Sequence, residues 1–539
     1  MPSITVDGKQ IEAQDGQMIL QACLDHGIEL PHYCYHPGLT IVASCRICLA
    51  EVEGIPKLVP TCQTPVREGM VVHTQSPRSV ANQKSVMEYL LVNHPLDCPV
   101  CDQAGECLLQ DYSYEYGRSG SRFEEDKAKQ PKKIVGDNVL LYGDRCIMCT
   151  RCVRFTREIA GTSELYVNGR GHTEQIDIFP GKPLNNKLSV NVVDLCPVGA
   201  LLDRDFLFKQ RVWMLKSSPS ISPVDAGGEN IYLQHNDGVI YRVKPRFNPD
   251  VNDWWISDDT RHSYKAPFSD DRLVEAHAPD ETNIPTPVHI ETAVDAAELK
   301  LKEIGSGLFG VLSPMMTCEE AYLLGTYLCG IDPDATLVMG PAPVDPQGDH
   351  VFHNALTKEE TFRIHAEKVP NRKGIERVMN ILGGNRLAWD EFIKRSGDDY
   401  KAGVVVGGYL SDWIGAELAG VLDKPFTVVL DILPNALTRR ADILIPSAAW
   451  CEKAGCWENH AGLIQPFEPA IAPPAGAKVD GDVLLDMLNR DGKYDAAAIR
   501  TELAEHDDAF NNLHIAKPEH DLPMPAGSMD EEMYEFVEV

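Results

Sequence analysis

The chain has 539 residues, 43% of them hydrophobic, so it is long enough for several domains with packed cores. Its formal net charge of −30 argues against a nucleic-acid partner, because phosphate binding needs clustered Lys and Arg. The polar start, MPSITVDGKQ, predicts no secretory signal. The sequence contains no apolar run of about 18 residues, so no membrane span is predicted.

The first predicted domain, residues 1–78, reads as a small mixed sheet with one packed helix. A hairpin is predicted at the Asp7 turn, and a helix pattern follows that ends at Gly27. Strands are expected near 47–53 and 70–74, on both sides of a cysteine-rich loop. This arrangement is typical of a β-grasp unit.

The rest of the chain contains several segments that differ in predicted secondary structure. Residues 77–116 predict helix, and a polar connector follows at 117–133. A hairpin is predicted about Asp237, and beyond residue 300 apolar runs alternate with helical stretches, as in an α/β domain with a largely parallel sheet. The tail after 528 is acidic. We therefore predict a multidomain α+β and α/β protein with domains at 1–78, 79–133, 134–216, 217–270 and 271–539.

Eleven cysteines and one histidine of the first 200 residues form three groups of four. Cysteines in C-x-x-C steps, without a secretory signal, favour metal binding over disulfides. Four ligands suit an iron–sulfur cluster. The first, second and third groups are Cys34, Cys45, Cys48 and Cys62; His94, Cys98, Cys101 and Cys107; and Cys146, Cys149, Cys152 and Cys196.

The first group has the spacing C-x10-C-x2-C-x13-C, which resembles the loop of plant-type [2Fe–2S] ferredoxins although the gaps differ. A structural zinc site is the alternative. His32 and His36 flank Cys34, and because four cysteines already complete the group, we expect them to pack or to support it rather than to ligate.

The second group, H-x3-C-x2-C-x5-C, replaces one charged thiolate by a neutral imidazole, His94. That replacement changes the charge of a bound cluster and therefore its potential. Zinc held by one histidine and three cysteines is the alternative.

The third group, C-x2-C-x2-C with a distant Cys196-Pro197, has the signature of a [4Fe–4S] cluster of the bacterial ferredoxin style. Arginines surround its triple step, and they either favour the reduced, more negative cluster or form a solvated helix face. They are Arg145, Arg151, Arg154 and Arg157.

Several segments are recognisable together. PHYCYHPGL, SCRICLAEVEG, TCQTPVREGM, NHPLDCPVCDQAGECLLQD, DRCIMCTRCVRF and VDLCPVGAL closely resemble the large peripheral-arm iron–sulfur subunit family of respiratory complex I, whose members are the G subunits of bacteria and the 75 kDa subunits of mitochondria. The match is dense over residues 1–215. It implies one [2Fe–2S] cluster in the first group, a [4Fe–4S] cluster in each of the other two, and no catalytic residue on this chain.

The resemblance also implies the enzyme complex in which the chain acts, its partner subunits and its location. The chain would act within a proton-translocating NADH:quinone oxidoreductase, with the NADH/FMN-binding subunit and other peripheral-arm subunits as partners. Electrons would visit the first, third and second groups in that order. The complex would hold the chain peripherally, by indirect attachment, at the cytoplasmic side of the inner membrane.

The remainder of the chain resembles the molybdopterin-oxidoreductase-like region of the same family. NDGVIYRVKPRFNPDVNDWW and SDDTR resemble a domain that carries an extra [4Fe–4S] cluster in some members, but Ser257 stands at its last cysteine. No cysteine lies between 197 and 317, so 217–270 is expected to be a cluster-free remnant. ADILIPSAAWCEKAGCWENHAGLIQPFEPAI resembles a late segment of the fold, which is short here, so no molybdopterin is expected.

Two other functions remain open on the sequence. The α subunit of an NAD-linked molybdenum or tungsten formate dehydrogenase shares the N-terminal clusters, but it needs a longer C-terminal region with a metal-ligating residue. A zinc-stabilised structural scaffold would use the same ligands without redox chemistry.

Overall fold

The computed structural model describes residues 1–395, 399–415 and 420–515. They form two compact units, the first made of Met1–Leu215 with Val351–Phe362, and the second of the described part of Lys216–His350 with Arg363–Lys517. The acidic tail lies outside the described residues, and the division into five domains stays a prediction. Within the described ranges, no helix has the length and apolar character needed to cross a bilayer.

The first unit contains short strands and helices separated by long loops. Its strands up to Leu215 are β1 (Ser3–Val6), β2 (Lys9–Glu12), β3 (Leu49–Val52), β4 (Val59–Pro60), β5 (Val71–His73), β6 (Lys132–Ile134), β7 (Val139–Tyr142), β8 (Leu165–Asn168), β9 (Gln175–Ile178) and β10 (Leu201–Asp203). Its helices are α1 (Ile19–Asp25), α2 (Pro77–Leu91), α3 (Leu108–Tyr116), α4 (Arg151–Glu158) and α5 (Asn191–Leu195).

The first sheet has the order β2-β1-β5-β3-β4, with β1 parallel to β5 and the other pairs antiparallel. The predicted hairpin is confirmed, because Asp7 and Gly8 both adopt a positive φ between β1 and β2. Helix α1 contributes Ile19, Leu20 and Cys23 to the core beneath this sheet. The cysteine loop between α1 and β3 is thereby anchored at both ends.

The predicted helical stretch of 77–116 is interrupted in the structure. Helix α2 begins at Pro77, where Ser76 caps it by accepting a hydrogen bond from the Ser79 amide, and it ends at Leu91. Helix α3 begins only at Leu108. Pro95 and Pro99 lie between them, and because proline removes a helical hydrogen bond, the segment becomes a loop. This loop carries the second group.

Beyond Leu215 the structure is an α/β arrangement. The strands are β11 (Lys216–Ile221), β12 (Asn230–Asn236), β13 (Val239–Pro245), β14 (Ala276–Pro279), β15 (Pro285–Val288), β16 (Leu308–Leu312), β17 (Thr336–Met339), β18 (His350–His353), β19 (Glu360–Ile364), β20 (Asn385–Leu387), β21 (Ala402–Val406), β22 (Phe426–Asp431), β23 (Ile443–Pro446), β24 (Gly455–Glu458) and β25 (Ile464–Phe467). The helices are α6 (Asp258–His262), α7 (Ile290–Ile304), α8 (Cys318–Ile331), α9 (Arg372–Leu382), α10 (Trp389–Phe392), α11 (Asp480–Met487) and α12 (Ala496–Ala504).

The largest sheet follows the order β15-β14-β23-β22-β21-β16-β17-β20. From β23 to β20 its neighbours are parallel, while β14 and β15 are antiparallel, so the predicted largely parallel sheet is confirmed. Strands β16, β21 and β23 are buried along their whole length, as expected for strands with helices on both faces.

Two buried cysteines of the second unit, far apart in the sequence, contact each other. Cys451 and Cys456, five residues apart, are both free thiols. The Cys456 thiol instead hydrogen-bonds to that of Cys318, the first residue of α8, and both are buried. The two thiols meet because β24 packs against α8.

A buried ionic triad holds α8, α11 and the loop before β24 together. The Lys453 Nζ lies 2.7 Å from Glu320 Oε2 and 3.4 Å from Asp480 Oδ2, with all three side chains almost inaccessible to water. Replacing Lys453 by methionine should lower the free energy of unfolding by about 3–5 kcal/mol, because two buried carboxylates lose their counter-charge. Lys478→Met is the control, since its pair with Asp486 is partly exposed and should contribute at most about 1 kcal/mol. Equal denaturation midpoints for the two variants would contradict this expectation.

Candidate iron–sulfur sites

The first group converges in the loop between α1 and β3 and at the turn after β4. Cys34, Cys48 and Cys62 are buried and Cys45 is half-buried. The Cys34 thiol is hydrogen-bonded to the thiols of Cys45 and Cys62, and Cys62 also contacts Cys48. All four cysteines are free thiols, and these contacts connect them into one continuous set.

Contacts between these thiols change their acidity. The hydrogen bonds from Cys45 and Cys62 hold the pKa of Cys34 well below its usual range, and the bond from Cys62 lowers that of Cys48 to about 7. The isolated Cys23 behaves oppositely, since burial raises its pKa to about 12. The hydrogen bond with Cys34, together with burial, raises the pKa of Cys45, and the bonds with Cys34 and Cys48 raise that of Cys62. Contact between the thiols therefore favours the metal-binding thiolate at Cys34 and Cys48 and the protonated thiol at Cys45 and Cys62.

The two histidines beside this group are buried and use Nδ1 for local backbone contacts. The His32 Nδ1 lies 2.8 Å from the Leu30 carbonyl oxygen, and the His36 Nδ1 accepts a hydrogen bond from the Gly38 amide. Burial, reinforced by Arg151, lowers the pKa of His32 to about 4 and that of His36 well below its usual range. The expectation that they pack rather than ligate agrees with these contacts.

Three of the four members of the second group line a cavity of about 400 Å³ between α2 and α3, and Cys101 does not. His94, Cys98 and Cys107 line it, with Cys98 exposed and Cys107 immediately before α3. Burial, together with Arg145, lowers the pKa of His94 to about 4. Its imidazole is therefore neutral near pH 7, with a lone pair available to a metal.

Cys101, the fourth member, lies with its sulfur against Gly199. A Cβ on Gly199 would lie 2.3 Å from the Cys101 Sγ, closer than any real contact. The buried Arg145 side chain donates to Asp97 from Nε (3.0 Å) and Nη2 (2.8 Å), and Nη1 donates to the Gly199 carbonyl oxygen (3.4 Å). One arginine thus joins the segment of the second group to the segment that follows Cys196.

The third group surrounds a small enclosed cavity that all four of its cysteines line. Apolar side chains and the start of α4 complete the wall: Leu141, Ile147, Thr150, Arg151, Ile176, Val198, Ala200 and Leu201. Met148 and Thr150 adopt a positive φ, which lets the chain turn tightly between the ligating positions.

Backbone amides point at the sulfurs of the third group. The Met148 amide lies 3.4 Å from the Cys146 Sγ, and the amides of Arg151 and Val153 donate to Cys149 and Cys152. The amides after Cys196, at Val198, Ala200 and Leu201, donate to its thiol. Such bonds stabilise negative charge on sulfur and raise the reduction potential of a bound cluster.

The four arginines near the third group have different environments. Arg145, Arg151 and Arg154 are each only 3% exposed, whereas the Arg157 side chain is 41% exposed and pairs with Glu158. A solvated helix face therefore describes Arg157 alone.

The donor set fits iron–sulfur clusters. No set of His, Cys, Asp and Glu among the described residues is arranged to hold a single metal ion, whereas four cysteine sulfurs around one cavity suit a cluster of several iron atoms. Within these ranges the hydrogen bonds of Arg151 and Arg154 go to carbonyl oxygens and not to carboxylates. A buried cation needs an opposite charge, and a thiolate-ligated cluster supplies one.

The stretch at 217–270 lacks such a donor set. Ser257 is buried and caps α6 through a hydrogen bond from the Thr260 amide. Its own amide and hydroxyl donate to the Glu229 carboxylate. Burial raises the pKa of Glu229 to about 8, so the acid is largely protonated near pH 7. A neutral hydrogen-bonded network lies where the resemblance places the last cysteine of an extra cluster.

Sequence reasoning missed three contributors to these sites. They are the amides that face sulfur, the contact of Gly199 with Cys101, and the pairing of Arg145 with Asp97. Asp97 lies between two predicted ligands and Gly199 shortly after another, so their positions were visible, but their long-range contacts were not.

Family models match most of the chain. They are a 2Fe-2S iron-sulfur cluster binding domain (2–77), an NADH-ubiquinone oxidoreductase-G iron-sulfur binding region (83–122), an NADH-quinone oxidoreductase subunit 3 ferredoxin-like domain (136–202), a NuoG-like 4Fe-4S domain (215–265) and molybdopterin oxidoreductase (413–490). The chain thus carries a [2Fe–2S] domain, [4Fe–4S] domains and a molybdopterin-oxidoreductase region in a mixed α/β fold. The NuoG-like model at 215–265 covers a stretch without cysteine.

Curated relatives agree with these models. The G subunit of NADH-quinone oxidoreductase from Rickettsia bellii is 44% identical, over 95% of this chain and 90% of the relative. The protein of the same name from Rickettsia felis is 43% identical, over 95% and 92%. The NADH-ubiquinone oxidoreductase 75 kDa subunit of Reclinomonas americana is 40% identical, over 66% and 52%. The chain therefore belongs to the G-subunit family of NADH-quinone oxidoreductase and is an iron–sulfur electron-transfer subunit of that enzyme.

Proposed function

We propose that the first group ligates the [2Fe–2S] cluster and that the second and third groups each ligate a [4Fe–4S] cluster. The observation that carries this assignment is the enclosed cavity of the third group, which four cysteines line and toward whose sulfurs backbone amides point. Bound clusters supply one-electron transfer. The chain itself positions the clusters, insulates them from solvent and tunes their reduction potentials.

The chain's residues would tune the three sites differently. The third group offers four thiolates with backbone donors and buried arginines beside them. The second group offers three thiolates and the neutral His94, so its ligand set carries one negative charge less. Because net charge and hydrogen bonds to sulfur set the potential, these environments separate the two [4Fe–4S] sites in potential.

We further propose that the third group is the middle site of the three. Two buried arginines on its own segment support this order, because Arg154 donates to the carbonyl oxygen of Cys34 in the first group and Arg145 pairs with Asp97 beside the second. The order of the sites in space would then be first, third, second, as the resemblance implies for electron transfer.

For the remaining structure we propose the assignments made from the sequence. The domain at 1–78 would be a β-grasp ferredoxin-like unit, and 271–539 a shortened molybdopterin-oxidoreductase-like region that docks neighbouring subunits. The partners would be the NADH/FMN-binding subunit and other peripheral-arm subunits. Through them the chain would attach indirectly to the cytoplasmic side of the membrane.

Electron paramagnetic resonance of the reduced full-length chain, with iron quantification, tests the ligand assignment. One [2Fe–2S] and two [4Fe–4S] clusters predict about ten iron atoms per chain and two kinds of reducible signal. A colourless protein that contains zinc and gives no reducible signal would overturn the assignment, and stoichiometric molybdenum or tungsten would favour a formate dehydrogenase.

A further inference from the structure

We propose that Arg154 is a positioning residue shared by two clusters. Its single guanidinium fixes the backbone of one ligand of the first group and one ligand of the third, and its charge favours reduction of both sites. The inference rests on the ligand assignment proposed above and extends it to a residue outside the three groups.

The geometry that supports this role lies on helix α4. Arg154 Nη2 donates to the carbonyl oxygens of Cys34 (2.5 Å) and Cys149 (3.4 Å), and Nη1 donates to that of Thr40 (2.5 Å). Arginine suits this position because its planar fork presents several donors in fixed directions. Cys34 and Cys149 are therefore held relative to each other through one rigid group.

Neighbouring side chains fix the same loop without touching a ligand. The Glu158 carboxylate accepts hydrogen bonds from the amide and hydroxyl of Thr40, at 3.0 and 2.8 Å. Arg151 donates to the carbonyl oxygens of Tyr35 and Leu195, each next to a cysteine of a different group. These contacts place α4 firmly against both ligand segments, and Arg154 is the member that bonds to the ligands themselves.

The charge of Arg154 acts on both sites. The side chain is 3% exposed, and all its hydrogen bonds within the described residues go to carbonyl oxygens. Cys149 and Cys34 are among the negative groups that interact with it electrostatically, together with Glu158. Because reduction adds negative charge and burial limits screening, a fixed cation between two sites raises the potentials of both.

The test is Arg154→Met in the full-length chain within its assembled complex, with potentiometric titration followed by electron paramagnetic resonance. The equilibrium constant for reduction should fall about tenfold at both the [2Fe–2S] site and the all-cysteine [4Fe–4S] site, a shift of about 59 mV for a one-electron couple. The His94 site should stay unchanged and serves as an internal reference. Arg157→Met, one turn along α4 at an exposed position, is the matched control.

The possible outcomes separate the inference from the assignment beneath it. A shift at only one site, or at neither, overturns the shared role while native signals leave the assignment intact. Absence of a [2Fe–2S] signal from the unmutated chain overturns the assignment instead.

If Arg154→Met loses iron, Arg154→Lys decides. Lysine keeps the charge, but one ammonium is a compact donor that lacks the fork needed to hold two carbonyl oxygens. Both signals should then change line shape while the His94 site does not, and unchanged signals from both sites would overturn the proposal.

Discussion

Replacement of Cys196 by alanine should remove one [4Fe–4S] cluster, lower the iron content from about ten to about six atoms per chain, and abolish NADH:quinone activity of the assembled complex. Cys196 ends helix α5 and lines the cavity of the third group with the other three cysteines. It also accepts hydrogen bonds from three following amides, which would lose their acceptor. Among the described residues, no fifth thiol lines that cavity and could replace Cys196.

The loss of activity follows from the place of this site. Under the order proposed above, removing the third group would interrupt the series in the middle, because arginines on its segment bond to the segments of the other two groups. Iron analysis, the resonance spectrum and quinone reductase activity measure the effect.

Cys23→Ala is the matched control, because Cys23 is a fully buried cysteine of the same unit that belongs to no group. Its loss leaves a small cavity in the core and should cost about 1–2 kcal/mol of stability while iron stays at about ten. Retention of full iron and activity in Cys196→Ala would show that this cysteine is not a ligand.

Replacement of Gly199 by alanine should empty the second site without altering any of its ligands. The new Cβ would lie 2.3 Å from the Cys101 Sγ and 3.1 Å from the Gln103 Cβ, so Cys101 must move. A cluster tolerates little displacement of a ligand, and we therefore expect about six iron atoms per chain and loss of one [4Fe–4S] signal. The [2Fe–2S] signal should persist.

Gly330→Ala provides the comparison for this substitution. A Cβ there meets nothing within 4 Å, and Gly330 lies inside helix α8, where alanine is favoured over glycine by about 1 kcal/mol. Iron content should stay the same and stability should not fall. A Gly199→Ala chain with its full iron and three unchanged signals would contradict the close approach seen in the structure.

Predictions from sequence succeeded where the signal is local. The hairpin at Asp7, the apolar runs that form β16, β21 and β23, and the alternation of strands and helices depend on neighbouring residues, and the structure confirms them. The helix expected over 77–116 was partly wrong, because two prolines interrupt it.

Contacts between distant parts of the chain were not predictable in this way. Nothing in the spacing of the cysteines relates Cys456 to Cys318, and it is the packing of β24 on α8 that brings these two thiols together. The sequence likewise could not distinguish the buried arginines from the exposed one. A run of basic residues has the same sequence pattern on a solvated helix as on a helix buried between ligand loops. Burial depends on what packs against a helix, and a single segment does not record its neighbour.

The sequence by itself determined which residues we propose as cluster ligands, because cluster ligation requires particular donor types at spacings that a loop can close. The tertiary structure alone decided what surrounds those donors: the amides that face sulfur, the glycine that admits Cys101, and the arginines that join one group to the next. The physical reason is that ligand identity is a property of single residues, whereas hydrogen bonding, burial and charge at a sulfur depend on segments up to 120 positions apart in the chain.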